Sequence, residues 1–413
     1  MEQPSYIYIV IEYYYKLSGF SKMTTHINPD DSYISTLMSL TDSLNGGVTP
    51  VLDHAHGTFT PKHSDAMLKA HIDSGARVWN AYSIVPISTV KNGKFFLDPT
   101  GQEPGGWKWK QLEQLAKEAP WANGRVQLGL GWESGRDQNE MRYGFDKAGE
   151  LNLSVKIRLS TRPMGYLNQS YPVIHSHGVS LDTNDLEIIR RTNNFIAVTP
   201  ESEHHYNLGQ VRTNNLFPQA ALGIDTSFTY SSDMLSQMRL QLQATRLRMA
   251  REAHADFKFV NNTAMTVKQV FLLSTRNGGL ALRRPDIGVI KKGAKADVVV
   301  FNTDNTATSA FYDPIAAVVL HSHVGNIEHV LVDGRWVKRD FKMVGLDWKE
   351  MMATFVKSAR KIQNIYSEYD NDSEWRKQHM AVMFDFFRAK EEDFMNIPTV
   401  DVDPSVVTSK IEL

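Results

Sequence analysis

Apolar residues in the first half of the chain follow two alternating rhythms. Short aliphatic or β-branched runs, which read as buried strands, are separated by stretches whose apolar positions repeat at helical spacing. Asn28-Pro29 opens a helix running through Leu44, with Tyr33, Ile34, Leu37, Met38 and Leu44 along one stripe, and Gly46-Gly47 ends it. Residues 48–52 are then a strand, Thr60-Pro61 starts the next helix, Gly75 stops it, and residues 77–82 form the following strand. The unit repeats through predicted strands at 125–130, 154–159, 172–175, 195–199 and 221–225, with a helix Thr183–Arg191 that Thr183 would cap.

Strands alternating with helices imply an α/β protein with a parallel sheet, and this many repeats favours closure into a (β/α)8 TIM-type barrel. Seven strands lie between residues 48 and 225. The missing first strand is assigned to residues 6–13, an apolar, tyrosine-rich run with no positive cluster before it and no small-residue cleavage site after it. It is too short to span a bilayer and reads as a strand rather than a secretory signal.

The rhythm changes near Asp286. Val298–Phe301, residues 316–321 and residues 330–337 read as a small, incomplete β layer in which Asp333-Gly334 marks a hairpin. Residues 348–366 are an amphipathic helix with Met351, Phe355, Ala359, Ile362 and Tyr366 on one face, and the last dozen or so residues read as a loosely packed tail. The organisation expected is a barrel over 1–285 (with 1–27 an atypical N-terminal segment), a composite β domain over 286–345, and a helical extension and tail over 346–413.

Composition narrows the chemistry. Of the 413 residues 42% are hydrophobic and 22% charged, with a formal net charge of −1, so nothing steers the whole molecule toward nucleic acid or a membrane surface. There is no cysteine. Disulfides and thiolate metal sites are excluded, any metal must be held by His, Asp or Glu, and a cytoplasmic setting fits.

Active sites in β/α barrels gather at the C-terminal ends of the strands. There the sequence places Asp53-His54-Ala55-His56, Arg158, His175-Ser176-His177-Gly178, Glu201-Ser202-Glu203-His204-His205 and Asp225, with six of the fourteen histidines among them. Imidazole and carboxylate suit a divalent metal, which polarises a carbonyl and acidifies bound water. An aspartate on the last strand can hold metal and take a proton from that water, and a nearby histidine can hydrogen-bond a developing oxyanion. Each residue also has a structural reading. Asp225 can cap a loop, His177 can pin one, His175 can face the barrel wall, and His54 and His56 can simply pack. Glu201 and Glu203 can favour a helix N-terminus, and His204 and His205 can form a solvated face.

Thr49-Pro50-Val51-Leu52-Asp53-His54-Ala55-His56 with Ser64-Asp65-Ala66 resembles the second barrel unit of the amidohydrolase superfamily, in its chlorohydrolase/deaminase-like branch. His177-Gly178-Val179-Ser180-Leu181 and residues 198–209 resemble its sixth and seventh units, and Leu222-Gly223-Ile224-Asp225 with residues 232–239 its eighth. Residues 270–279, 287–298 and 330–335 are similar to the family's closing helix and composite β layer. The resemblance implies a hydrolase acting on non-peptide carbon–nitrogen bonds of a small, often ring-containing molecule, with a divalent metal (zinc or iron) activating water. By resemblance His177 falls on the histidine that assists the oxyanion, and Asp225 on the metal ligand and proton acceptor. Arg158, Glu201, Glu203 and His204 are candidate substrate contacts, and His54, His56 and His175 further candidate metal ligands.

Two departures accompany the match. The family's first-strand His-x-His pair and the N-terminal part of its β layer have no counterpart, and Arg158 stands about where a fifth-strand histidine ligand belongs, a cation in place of a cation's ligand. Three readings stay open. The chain is a mis-started or rearranged, inactive pseudoenzyme that binds a small molecule or serves as a partner subunit; or its site is rebuilt from His54, His56, His175 and His204. Alternatively, Asp225 and His177 form a metal-free acid–base pair with Arg158 holding an anionic substrate. Apolar edges of the β layer at Val298–Phe301 and residues 316–320 would be covered by residues 6–15 or by formation of a homo-oligomer.

Overall fold

The computed structural model describes residues 25–91, 94–132, 138–158, 168–179, 181–206, 209, 213–227 and 230–370. Residues 6–13, assigned above to the first strand, and the C-terminal tail lie outside them. Helix α1, Pro29–Asn45, begins where its sequence dictates. The Asn28 side chain accepts the Asp31 amide, the Asp31 carboxylate accepts the Asn28 amide, both at 2.9 Å, and Pro29 fits the first turn. Gly46 caps the far end, and Gly47 follows at φ +79, a backbone that favours glycine.

The chain continues through β1 Pro50–Ala55, α2 Pro61–Asp73, β2 Arg77–Ile84, β3 Ile87–Lys91, β4 Lys94–Asp98, α3 Trp107–Glu118, β5 Val126–Trp132, α4 Gln138–Glu150 and β6 Ser154–Arg158. Then come β7 Val173–Ser176, α5 Thr183–Arg191, β8 Phe195–Val198, α6 Pro200–His205, α7 Thr213–Leu216, β9 Ala220–Leu222 and α8 Met234–Ala255. Seven strands pair in parallel in the order β1-β2-β5-β6-β7-β8-β9, the curled wall of a (β/α)8 TIM-type fold. The antiparallel β3–β4 hairpin, which periodicity did not predict, is inserted between β2 and α3. Helix α5 has the expected bounds, but its cap is Asp182 rather than Thr183. Asp182 and Asp185 exchange capping hydrogen bonds, and a carboxylate one residue earlier satisfies the free amides that Thr183 was expected to take.

Parallel register aligns partners on common faces. Leu128, Leu130, Val155 and Val173 face outward under Leu112, Leu115, Phe145 and Ala148 of α3 and α4. On the inner face Trp79, Ile174 and Phe195 pack with Ala281, Leu282 and Ile287, which follow α9 Val267–Ser274 and belong to or succeed α10 Arg276–Ala281. This plug sits near the strands' N-terminal ends and leaves the C-terminal ends for chemistry. Across the two sheet edges, Ser227 donates to Ser39 of α1 at 2.6 Å, so α1 joins the β1 edge to the loop after β9.

A second, antiparallel sheet of four strands comprises β10 Val298–Phe301, β11 Ile327–Val332, β12 Arg335–Arg339 and β13 Lys342–Met343. Asp333 and Gly334 both take positive φ, +53 and +78, as the predicted two-residue hairpin requires. Arg77, 1% exposed, docks this sheet to the wall through two hydrogen bonds to Asp297 (2.7 and 2.9 Å) and one to Asp333 (3.1 Å). Residues 316–321 are not a strand. Asp313 caps α11 Pro314–Ala316, and the turn continues as a π-helix over Ala317–His321 that buries Ala317 and Val319. A short apolar run has no periodicity to separate helix from strand, and the Asp313-Pro314 start signal decides it.

Contacts divide the chain into two compact units, residues 1–363 and 364–413, with α12 Trp348–Asp370 crossing the division. In the first unit α12 buries Met351 and bonds Asp31 through Ser358 and Lys361. In the second, only the end of α12 is described. No helix among the described residues is long and apolar enough to cross a membrane.

Candidate active site

Three consecutive strand ends supply the best-connected polar cluster. His177 directly follows β7 with φ +65, an unusual backbone for a non-glycine residue, and its amide donates to Ala197 of β8 at 2.8 Å. Its Nδ1 lies 2.9 Å from the Thr199 hydroxyl and 3.5 Å from Glu203 Oε1. Glu203 is 1% exposed on α6, and its Oε1 also accepts the Thr199 amide at 2.9 Å. Asp225 lies three residues beyond β9, not on the strand as the sequence suggested. It is exposed, its φ is +72, and its Oδ2 accepts the buried Ser202 hydroxyl at 2.5 Å. Two non-glycine residues in left-handed backbone at one mouth fit the tendency of strain to collect at functional sites. Burial, with Tyr206 beside it, pushes the nearby Tyr230 phenol far above its ordinary range, so it stays neutral.

The end of β1 is built differently. His54 and His56 stack with ring centroids 4.3 Å apart and planes 12° apart. Gly131 on β5 makes room for them, since a Cβ there would lie 2.8 Å from both the His54 ring and the Ala81 carbonyl. Asp53 points to the other face, where the fully buried His71 meets it at 2.7 Å through Nε2. Beyond the pair, buried Lys108 donates to the Thr58 carbonyl at 2.7 Å and hydroxyl at 3.0 Å, and burial lowers its amine to about 7.

The candidate residues therefore separate into groups. His177, Glu203 and Asp225 come together around Thr199 and Ser202. His175 is fully buried in register with Ile157 and Ile196, on the helix-facing side of the wall, and burial pushes it down to about 3. Glu201 is held by Gln237 of α8 at 2.8 Å and approached by Ser231 at 3.3 Å. His204 is half-buried, and His205 is exposed beside Tyr206 and Tyr230. Arg158 ends β6 opposite Ser176, and its side chain lies outside the description. Thr199, Ser202 and Tyr230 were not singled out from sequence. The available signal was their place at the start of, within, and after the Pro200-Glu201-Ser202-Glu203 turn.

Among the described residues, the His/Asp/Glu trio whose ligand atoms come within 4.8 Å of one another is Glu328, His329 and Asp340 of the small sheet. His54, His56, His175, His177 and Asp225 do not converge in that way, so the mouth residues as placed do not fit a closed three-ligand metal site.

The sequence profile of the amidohydrolase family matches residues 11–337. A 5-methylthioadenosine/S-adenosylhomocysteine deaminase from Desulfitobacterium hafniense is 24% identical over 362 residues, 81% of this chain and 77% of that protein. Another deaminase of the same name, from Thermococcus sibiricus, is 29% identical over 178 residues, 42% of this chain and 39% of that one. Among solved structures, atrazine chlorohydrolase from Arthrobacter aurescens complexed with zinc superposes with TM-score 0.67 at 17% identity, over 80% of this chain and 77% of the other. Guanine deaminase from C. acetobutylicum with bound guanine gives 0.64 at 16%, over 79% and 80%. With the profile spanning most of the chain and the barrel shared, the protein belongs to the amidohydrolase family.

Proposed function

We propose that the chain hydrolyses a non-peptide carbon–nitrogen bond of a small nitrogen-heterocyclic molecule at the mouth formed by the ends of β7, β8 and β9. Membership in the family, together with relatives that are deaminases, favours turnover over the rival reading of an inactive binder. One observation carries the proposal: an imidazole after β7 and a carboxylate after β9, flanking β8 and each supported by a residue at or after the end of β8, Ser202 for Asp225 and Thr199 with Glu203 for His177. Methylthioadenosine, guanine and atrazine, named for the relatives, share an electron-poor nitrogen ring with a displaceable substituent, and the same class is proposed here.

In the proposed step Asp225 accepts a proton from water as its oxygen bonds to the ring carbon, while His177 faces the charge that develops. The carbon–nitrogen bond then breaks, and the proton leaves with the amine. Arg158 would hold an anionic part of the substrate, and Glu201 and His204 would line the rim. Solved neighbours contain zinc. Because the donors at the mouth do not converge on three ligands among the described residues, no step is routed through a metal.

The separate four-stranded sheet supports the division at 285/286 and 345/346. The absence of cysteine supports a cytoplasmic setting. Strand β10, at one end of its sheet's order with Val300 exposed, supports self-association.

The test is release of ammonia from a panel of amino-substituted purines, their nucleosides and triazines by the full chain. Asp225→Asn and His177→Ala should each abolish turnover with the fold intact, and full activity in either variant overturns the assignment. Metal content of the same preparations shows whether zinc or iron accompanies activity.

A further inference from the structure

The contacts around His177 decide which of its ring nitrogens carries the proton. Nδ1 is 2.9 Å from Thr199 Oγ1 and 3.5 Å from Glu203 Oε1, and Thr199 Oγ1 is itself 3.4 Å from that same Oε1. Thr199 is 6% and Glu203 1% exposed, so bulk water cannot supply a substitute donor. A carboxylate only accepts hydrogen bonds, whereas a hydroxyl both donates and accepts. Were Nδ1 bare, its lone pair would face the carboxylate oxygen, and Thr199 would have to turn its proton away from Glu203. With the proton on Nδ1 every contact pairs a donor with an acceptor. Nδ1–H donates to Thr199, and Thr199 O–H donates to Glu203.

We propose that Glu203, acting through Thr199, is the positioning residue that keeps the His177 tautomer with its proton on Nδ1, so that Nε2 offers a lone pair to the substrate. The inference rests on the reading of His177 as part of the site. Among the described residues Nε2 has no protein hydrogen-bond partner, and the side chain is 14% exposed. His177 therefore meets its substrate as an acceptor at Nε2. The proton it takes there is the second one of the attacking water, left on the new C–O–H after Asp225 has taken the first. His177 then donates back to the oxygen becoming a carbonyl, with Glu203 3.5 Å behind it, and passes the proton to the ring nitrogen as the amine leaves with the other. Glu203, expected from sequence to touch substrate, is placed behind the histidine instead.

The test is the long-range proton–nitrogen spectrum of the full chain labelled with 15N-histidine, with His177 assigned by the signals lost in His177→Gln. The expected result is a pyrrole-type Nδ1 and a pyridine-type Nε2, and the reverse pattern overturns the proposal. Glu203→Gln keeps an acceptor and should keep the tautomer. Glu203→Leu and the isosteric Thr199→Val should each give a mixture, with kcat lower by roughly ten- to hundred-fold and KM nearly unchanged. If Glu203→Leu does not fold, Thr199→Val carries the test, and an unchanged spectrum in it also overturns the proposal. Should no substrate be turned over, the proposed function fails while the spectrum still decides the tautomer.

Discussion

Ser202 Oγ donates to Asp225 Oδ2 across 2.5 Å, joining the helix after β8 to the loop after β9. Ser202 is fully buried, whereas Asp225 is exposed on a left-handed backbone, so the serine is the fixed end of the pair. Ser202→Ala should keep the fold and lower the thermal midpoint by no more than a few degrees, since the exposed Asp225 carboxylate regains water. A hydrogen bond to a charged group is worth about 1.5–3 kcal/mol. Its loss should lower kcat/KM on the responsive substrate by roughly ten- to hundred-fold. Unaltered kinetics would mean that the loop alone holds Asp225.

Arg77 is the polar joint between the two sheets. Burial works against its charge, but Asp297 and Asp333 more than offset this and raise its pKa. Removing one partner from a buried pair leaves the other uncompensated, at a cost of about 3–5 kcal/mol. Arg77→Met and Asp297→Ala should each lower the urea midpoint by a similar amount, and the double variant should lose less than the sum of the two. Strict additivity would show that the joint is not a coupled unit.

His175 has no hydrogen-bond partner for either ring nitrogen among the described residues, and burial lowers its pKa from 6.5 to about 3. Below pH 6.5 the unfolded chain binds this proton and the folded chain does not, so the histidine's contribution to stability is lost as pH falls from 6.5 toward 3. His175→Leu should flatten that part of the acid-unfolding curve. At pH 7 it should raise stability by about 1–3 kcal/mol, the cost of unsatisfied buried polar atoms. A loss of bound metal in this variant, rather than a gain in stability, would return His175 to the list of ligands.

Lys108 titrates in the opposite range. Its pKa falls from 10.5 to about 7 on burial, so between those values the unfolded chain holds a proton that the folded chain lacks. Stability should therefore rise across that window with a slope of up to roughly 1.4 kcal/mol per pH unit from this group. Lys108→Met should remove that slope. A wild-type curve that is flat from pH 7 to 10 would contradict it.

Much of the barrel was legible because its code is local. Asn28-Pro29, Thr60-Pro61 and the Asp333-Gly334 turn each act within a few residues, and the structure places α1, α2 and the β11–β12 hairpin there. Residues 316–321 misled because a run of five apolar residues carries no period, while the capping Asp313 sits outside the run. The site was legible only in part. His177 and Asp225 stood out at strand ends, but Thr199 and Ser202 act through bonds to residues 22 and 23 positions away, and such pairing is invisible until the strands are in register. The opposite faces of His54 and His175 likewise follow from register rather than composition.

The Arg77–Asp297 joint has a consequence for synthesis. Its two halves are separated by 220 residues, so a ribosome has long since released β2 before the carboxylate that neutralises its arginine has been made. Until then the growing chain holds a guanidinium at a position that ends up 1% exposed, and the wall cannot close around it without leaving that charge orphaned. The small sheet is thus a late closing piece: a chain ending before Asp297 should leave Arg77 without its carboxylate and that part of the wall hydrated, and faster proteolysis of such a truncation than of the full chain would show it.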